Sequence, residues 1–285
     1  MEKITVHKWM EYDSKFNFVG GQIAHDGTLL LIESSLEELD FFNRPVPKND
    51  WTIRIINGET IETVILPHVP LMPTEVDLFS DGTLLLVQGR CLKDGTTIER
   101  NARRYNRNGQ LISAFTLGDG INQVQIDETD TIWVSYFDEG VFGNFGWDEP
   151  MGSDGLIAYS MDGQKLWGAQ NYDICDCYAM NVVSSKEIYF YYYDDFWFVQ
   201  LSDMKEVQRN RVEGNPMMHQ FLVDEEGIIG QLDLSTIIRY RLKGKTFASK
   251  NKIQFVDETG KRVLGHVFMR GKYLYVCGKD GIYRK

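Results

Sequence analysis

The sequence predicts an all-β chain folded as a six-bladed β-propeller, with four antiparallel strands per blade and the N-terminal strand closing the last blade. Three observations lead there. A turn-plus-strand unit recurs at propeller spacing, a second hairpin follows it in most repeats, and a strand is left over at the N-terminus where the last repeat lacks one.

The first unit is plainest in His25-Asp26-Gly27-Thr28-Leu29-Leu30-Leu31-Ile32, matched by Ser80-Asp81-Gly82-Thr83-Leu84-Leu85-Leu86-Val87. Asp-Gly tolerates the positive φ angles of tight hairpin turns, and the apolar run after it reads as a strand. Weaker copies carry Thr131, Glu187, Gly227 and Lys272 at the position of Thr28 and Thr83, in steps of 40 to 56 residues. Four-stranded blades repeat at about 40–50 residues, and the uneven steps indicate loop insertions.

The second hairpin turns at Asn57-Gly58 in blade one, at Asn108-Gly109 in blade two and at Asp162-Gly163 in blade three, each between apolar runs. The blades are expected at about residues 17–70, 71–118, 119–173, 174–212, 213–260 and 261–285, within one domain spanning 1–285. The sixth repeat has three strands. The run Ile4-Thr5-Val6-His7-Lys8-Trp9-Met10 precedes the first blade without a partner in it, so residues 1–13 fill the missing place and cover an open edge. A β-sandwich, or two small β domains, leaves those leftover strands unexplained.

The net charge of −11 argues against nucleic acid and against an anionic membrane surface as partners. Residues 1–6 have no apolar signal-peptide core, and no stretch reaches the ~20 apolar residues of a spanning helix, so the expected location is cytoplasmic. Cys91, Cys175, Cys177 and Cys277 are then expected as thiols, and Cys175-x-Cys177 lacks the usual zinc or redox spacing. No nucleophile elbow, phosphate loop or dinucleotide fingerprint is present.

The turn-plus-strand repeat resembles the propeller class that includes NHL-type, WD-repeat and gluconolactonase-like domains. The resemblance covers the whole chain at the level of architecture. The Trp-Asp and Gly-His dipeptides of WD repeats do not recur, so it implies fold more than function.

Propeller loops divide between two faces. Here the A-to-B and C-to-D turns are short, and insertions fall on the face of the D-to-A and B-to-C loops. The blade-one insertion, residues 34–50, contains Phe41 and Phe42. The blade-three insertion, residues 136–150, contains Asp138, Glu139, Phe142, Asn144, Phe145 and Trp147. Long loops on a rigid scaffold commonly carry binding residues. Two readings stand for the aromatics: a lip for a protein partner or small ligand, or rings packed on the neighbouring blade.

The axial channel mouth is the second place to look. Aligning the innermost strands groups Glu75, Asn122 and His219 in one layer, with Gln22, Asp77, Asn181 and His266 in the next and Asp176 just above. Such groups either pair with backbone between blades or form a site. Glu75, Asn122 and Asn181 resemble the divalent-cation ligands of gluconolactonase-like hydrolases, although that family's local signatures are not matched. With no complete catalytic set, the leading expectation is a non-enzymatic binding propeller using the inserted loops near blades one to three, without a cofactor. The alternative is a metal-dependent hydrolase or lactonase at the channel mouth, with a divalent cation, and His219 or His266 moving protons.

Overall fold

The computed structural model describes residues 1–40 and 44–285, and the chain divides into two compact units, Phe16–Cys177 and Tyr178–Lys285 with Met1–Lys15. Strands dominate, and no helix among the described residues is long and apolar enough to cross a membrane. Phe41 and Phe42 lie outside the described residues.

The chain opens with β1 (Glu2–Thr5) and β2 (His7–Met10), whose partners come from the far end of the sequence. The Phe16–Cys177 unit then lays down three antiparallel sheets. The first is β3 (Asn17–Ile23), β4 (Leu29–Ser34), β5 (Asn49–Asn57) and β6 (Thr60–Val69). The second is β7 (Glu75–Leu78) and β8 (Leu84–Val87), a small hairpin β9 (Lys93–Asp94) and β10 (Thr97–Ile98) standing apart, then β11 (Ala102–Tyr105) and β12 (Leu111–Phe115). The third is β13 (Ile121–Ile126), β14 (Ile132–Tyr136), helix α1 (Asp138–Phe142), β15 (Leu156–Tyr159) and β16 (Lys165–Gly168).

β17 (Asp176–Ser184) has its first two residues in the Phe16–Cys177 unit and the rest in the other, which also contains β18 (Glu187–Tyr193), β19 (Trp197–Ser202), β20 (Lys205–Val212), β21 (Gln220–Asp224), β22 (Gly227–Gln231), β23 (Ile237–Lys243) and β24 (Thr246–Val256). These form one nine-stranded sheet with β1. Within it β17–β20 and β21–β24 are each a meander in chain order, joined where β20 and β24 run parallel at Arg211–Thr246 and Val212–Phe247. The chain ends with β25 (Gly265–Arg270), β26 (Tyr273–Gly278) and β27 (Gly281–Arg284), and β2 completes that sheet beside β27.

The repeating turn has a local cause. Asp26 Oδ1 accepts from the Thr28 N–H at 2.9 Å, Asp81 Oδ1 from the Thr83 N–H at 3.0 Å, and Asp127 Oδ1 from the Thr129 N–H at 2.9 Å. Asp224 does the same for Glu226, and Ser184 Oγ for Lys186. A short polar side chain thus bonds the backbone two residues on and starts the hairpin without help from the rest of the fold. The strands that follow are apolar on both faces because sheets pack against both. Every residue of β4 and of β8 is buried.

The N-terminal run is expected as one strand and is two. β1 pairs in parallel with Ile253–Val256 of β24, while β2 turns to pair with β27. Ile4 and Val6 fill the core between these sheets with Ile229, Ile253 and Leu274. Glu2 and Asp224 flank the guanidinium of Arg239, which is 3% exposed, at 3.1 and 2.6 Å. A buried arginine held by two carboxylates is a specific latch for the entering strand.

Candidate functional site

The polar residues expected at the channel mouth are largely engaged with backbone. In the Phe16–Cys177 unit, Gln22 donates to the carbonyls of Val76 and Val124. The buried Asp77 accepts from the Ile126 N–H at 2.6 Å, and Asn122 donates to the Cys177 carbonyl at 2.9 Å. In the other unit, Asn181 donates to the Phe221 carbonyl at 2.7 Å and accepts from the Gly271 N–H at 2.8 Å. Gln220 donates to the Val267 carbonyl at 2.6 Å and accepts from the Met269 N–H at 3.0 Å. The inner strand of one meander thus holds the backbone of a neighbour through a side chain, satisfying groups that no ladder reaches. Gln220 is not among the residues the sequence singles out, although Gln22 on β3 is a signal for it.

Glu75 has a different environment. Burial pushes its carboxyl up to about 8, with the Asp77 charge adding and the Val124 N–H opposing. The group therefore holds its proton at neutral pH. Asp176 rises to about 6 through burial and then through the charge of Asp138, so the structure brings a channel-mouth residue near the blade-three insertion. Among the described residues no three His, Cys, Asp or Glu side chains converge as a metal site. Burial raises the Cys91, Cys177 and Cys277 thiols, the last to about 12.

The insertion after β14 is an interlock as much as a lip. Its first turn is α1, with Asp138 and Glu139 at the N-terminal end, where acidic side chains suit the helix dipole. Arg90 pairs with Glu139 and reaches Asp119 at 3.2 Å, its guanidinium 4.3 Å from the centre of the Phe145 ring. Arg90 and Asn144 bond the Glu139 carboxylate and hold its pKa below the ordinary value. Trp147 is 5% exposed, and its indole N–H donates to the Cys91 carbonyl at 2.6 Å. Gly146 has φ +84°, and a Cβ there would collide with the Lys93 carbonyl. Only glycine lets the backbone pass that close. Of the predicted lip, Phe142 (67% exposed), Asp138 and Asn144 face solvent, whereas Trp147 is a packing residue. Arg90 and the β9–β10 hairpin that receive it are missed by sequence reasoning, although Asp94-Gly95 marks the hairpin turn.

The two remaining residues expected at the channel mouth share one pocket. His219, just before β21, and His266, near the start of β25, line one pocket of about 400 Å³ with Gln220, Gln231 and Asp233, over Val267 and Phe268. Asp233 accepts from the Ser235 N–H, the Ser235 hydroxyl and the Thr236 N–H, each at 2.8 Å, which hold its pKa down at about 2. The pocket therefore keeps one fixed negative charge beside two imidazoles and two amides. Its loops are D-to-A and B-to-C connections, but of the Tyr178–Lys285 unit, whereas the sequence places the binding loops near blades one to three.

Residues 151–285, just under half the chain, match the model of the YxzG family. No curated protein matches the sequence significantly. Among solved structures, the selenomethionine-substituted virginiamycin B lyase of Staphylococcus aureus superimposes over 98% of each chain, with a TM-score of 0.53 and 8% identity. The chain has a β-propeller architecture. At that identity the likeness concerns the fold alone.

Proposed function

We propose that this chain is a six-bladed binding propeller that takes a small polar ligand on the face bearing its D-to-A and B-to-C loops. Reading β17–β20 and β21–β24 as two blades joined at their outer strands makes six four-stranded meanders, the sixth completed by β2. The single observation that supports the ligand is the His219–His266 pocket. An apolar floor with a few oriented polar groups is the usual make-up of a small-molecule site. Phe142, Asp138 and Asn144 on the blade-three insertion are the part of that face open to a protein partner.

A second reading draws on the same pocket. Two imidazoles in one cleft are proton-transfer groups, as a hydrolase or lactonase would need. Its metal-assisted form, with Glu75, Asn122 and Asn181 as ligands, has less in its favour. The Asn181 Oδ1 that would ligate already accepts from the Gly271 N–H, and Glu75 is neutral at pH 7.

His219 and His266 are exposed, so replacing either with Ala should leave folding intact. In a fragment screen by saturation-transfer NMR, ligands of the wild-type chain should bind about tenfold more weakly to each variant. A screen in which no hit is weakened by the two variants would sink the proposal. Turnover of p-nitrophenyl acetate or a simple lactone that falls in both variants would favour the enzyme. A melting temperature indifferent to calcium and zinc would remove its metal-dependent form.

A further inference from the structure

The unit of Tyr178–Lys285 has a second cavity, of about 420 Å³, at the other end of its strands. His219 precedes β21 and Asp224 closes it, so the two cavities lie at opposite ends of one strand. The backbone explains the opening. β20 and β24 pair at Arg211–Thr246 and Val212–Phe247, and towards the hairpin end β20 loses that partner. The resulting gap is floored by Phe198 and Phe247, whose ring centres are 5.3 Å apart.

Three of the polar groups lining this gap have no bond to another protein side chain or backbone group among the described residues. Asn210 is 5% exposed and accepts from Gln208 Nε2 at its Oδ1, 2.6 Å away. Its own amide N–H2 has no protein partner among the described residues, nor does the Gln200 amide or the Glu225 carboxylate. Asp224 is held by Arg239, and Glu226 by Arg241. Asn210 is buried, Gln200 is half-buried and Glu225 is exposed, so these groups face the cavity and can exchange water for a ligand's polar atoms. The set available to a ligand is a donor at Asn210, a donor–acceptor at Gln200 and an acceptor at Glu225, over aromatic carbon.

Each ligand class can be tested against that set. An anion would meet Asp224, Glu225 and Glu226, with Arg241 the one cation of the lining. A cation would satisfy Glu225 but set a donor against the Asn210 N–H2. Hydroxyl groups both donate and accept, so a polyol satisfies all three while its C–H face covers the rings. The volume falls in the range of small-molecule sites, roughly 300–1,000 Å³. We propose that this cavity binds a small neutral carbohydrate, of mono- or disaccharide size.

The full chain serves for the test. Glucose, galactose, mannose and N-acetylglucosamine are titrated singly by calorimetry and saturation-transfer NMR, with 1,4-diaminobutane and acetate as charged controls. At least one sugar should bind saturably. Gln200→Ala and Glu225→Ala should each weaken it about tenfold, with the melting temperature held, while His219→Ala leaves it unchanged. The proposal is overturned if no sugar saturates, if binding ignores both cavity variants, or if a charged control binds more tightly than every sugar.

Discussion

Glu75 is the residue whose chemistry depends most on its surroundings. An ordinary glutamate would be ionised at pH 7, but burial raises this one from 4.5 to about 8. The sign follows from linkage. The folded state favours the protonated form, so stability is full below about pH 4.5 and is lost as pH rises through 8. Glu75→Gln removes the titration. Its unfolding free energy, from chemical denaturation, should match wild type near pH 5 and exceed it at pH 9 by an amount on the order of 2 kcal/mol once residual solvent contact is allowed for. Equal curves for the two proteins across that range would contradict the assignment. Residue type and strand position single out Glu75 in the sequence. Its protonation is invisible there, because the desolvating atoms come from other strands.

Among elements, the insertion after β14 was the most conspicuous segment in the sequence, and its composition was compatible with both lip and packing. The structure separates the two by residue. Trp147→Ala should cost about 3–5 kcal/mol, since it deletes a buried ring and orphans the Cys91 carbonyl. Phe142→Ser should change stability by less than about 0.5 kcal/mol, because that ring is exposed. Chemical denaturation of the two variants checks both values. The distinction was not legible beforehand: the partner of Trp147 is 56 residues earlier in the chain. Gly146 is a partial clue, yet a glycine says only that something comes close, not what.

For the molecule as a whole, the termini matter most. β1 and β2 bring the first ten residues into two sheets of the Tyr178–Lys285 unit, bury Ile4 and Val6, and latch on Arg239. Deleting residues 1–10 should therefore destabilise that unit by about 3–6 kcal/mol from lost apolar burial alone, and leave two strand edges open to aggregation. Hydrogen exchange would show the loss in β24 and β27. Unchanged protection there would mean the N-terminal strands are dispensable.

Local chemistry wrote the repeat. Asp26, Asp81 and Asp127 bond backbone two residues away, and the apolar runs behind them need only water to become buried strands. These features depend on neighbours in sequence, so the all-β class, the turn positions and the leftover N-terminal strand were readable from it. Three outcomes were decided by tertiary structure: the split of β1 from β2, the parallel contact of β20 with β24, and the pocket that His219 and His266 line together. Each joins residues far apart in the chain, where side-chain volume and strand twist, summed over whole sheets, choose the partner. No local pattern encodes that sum.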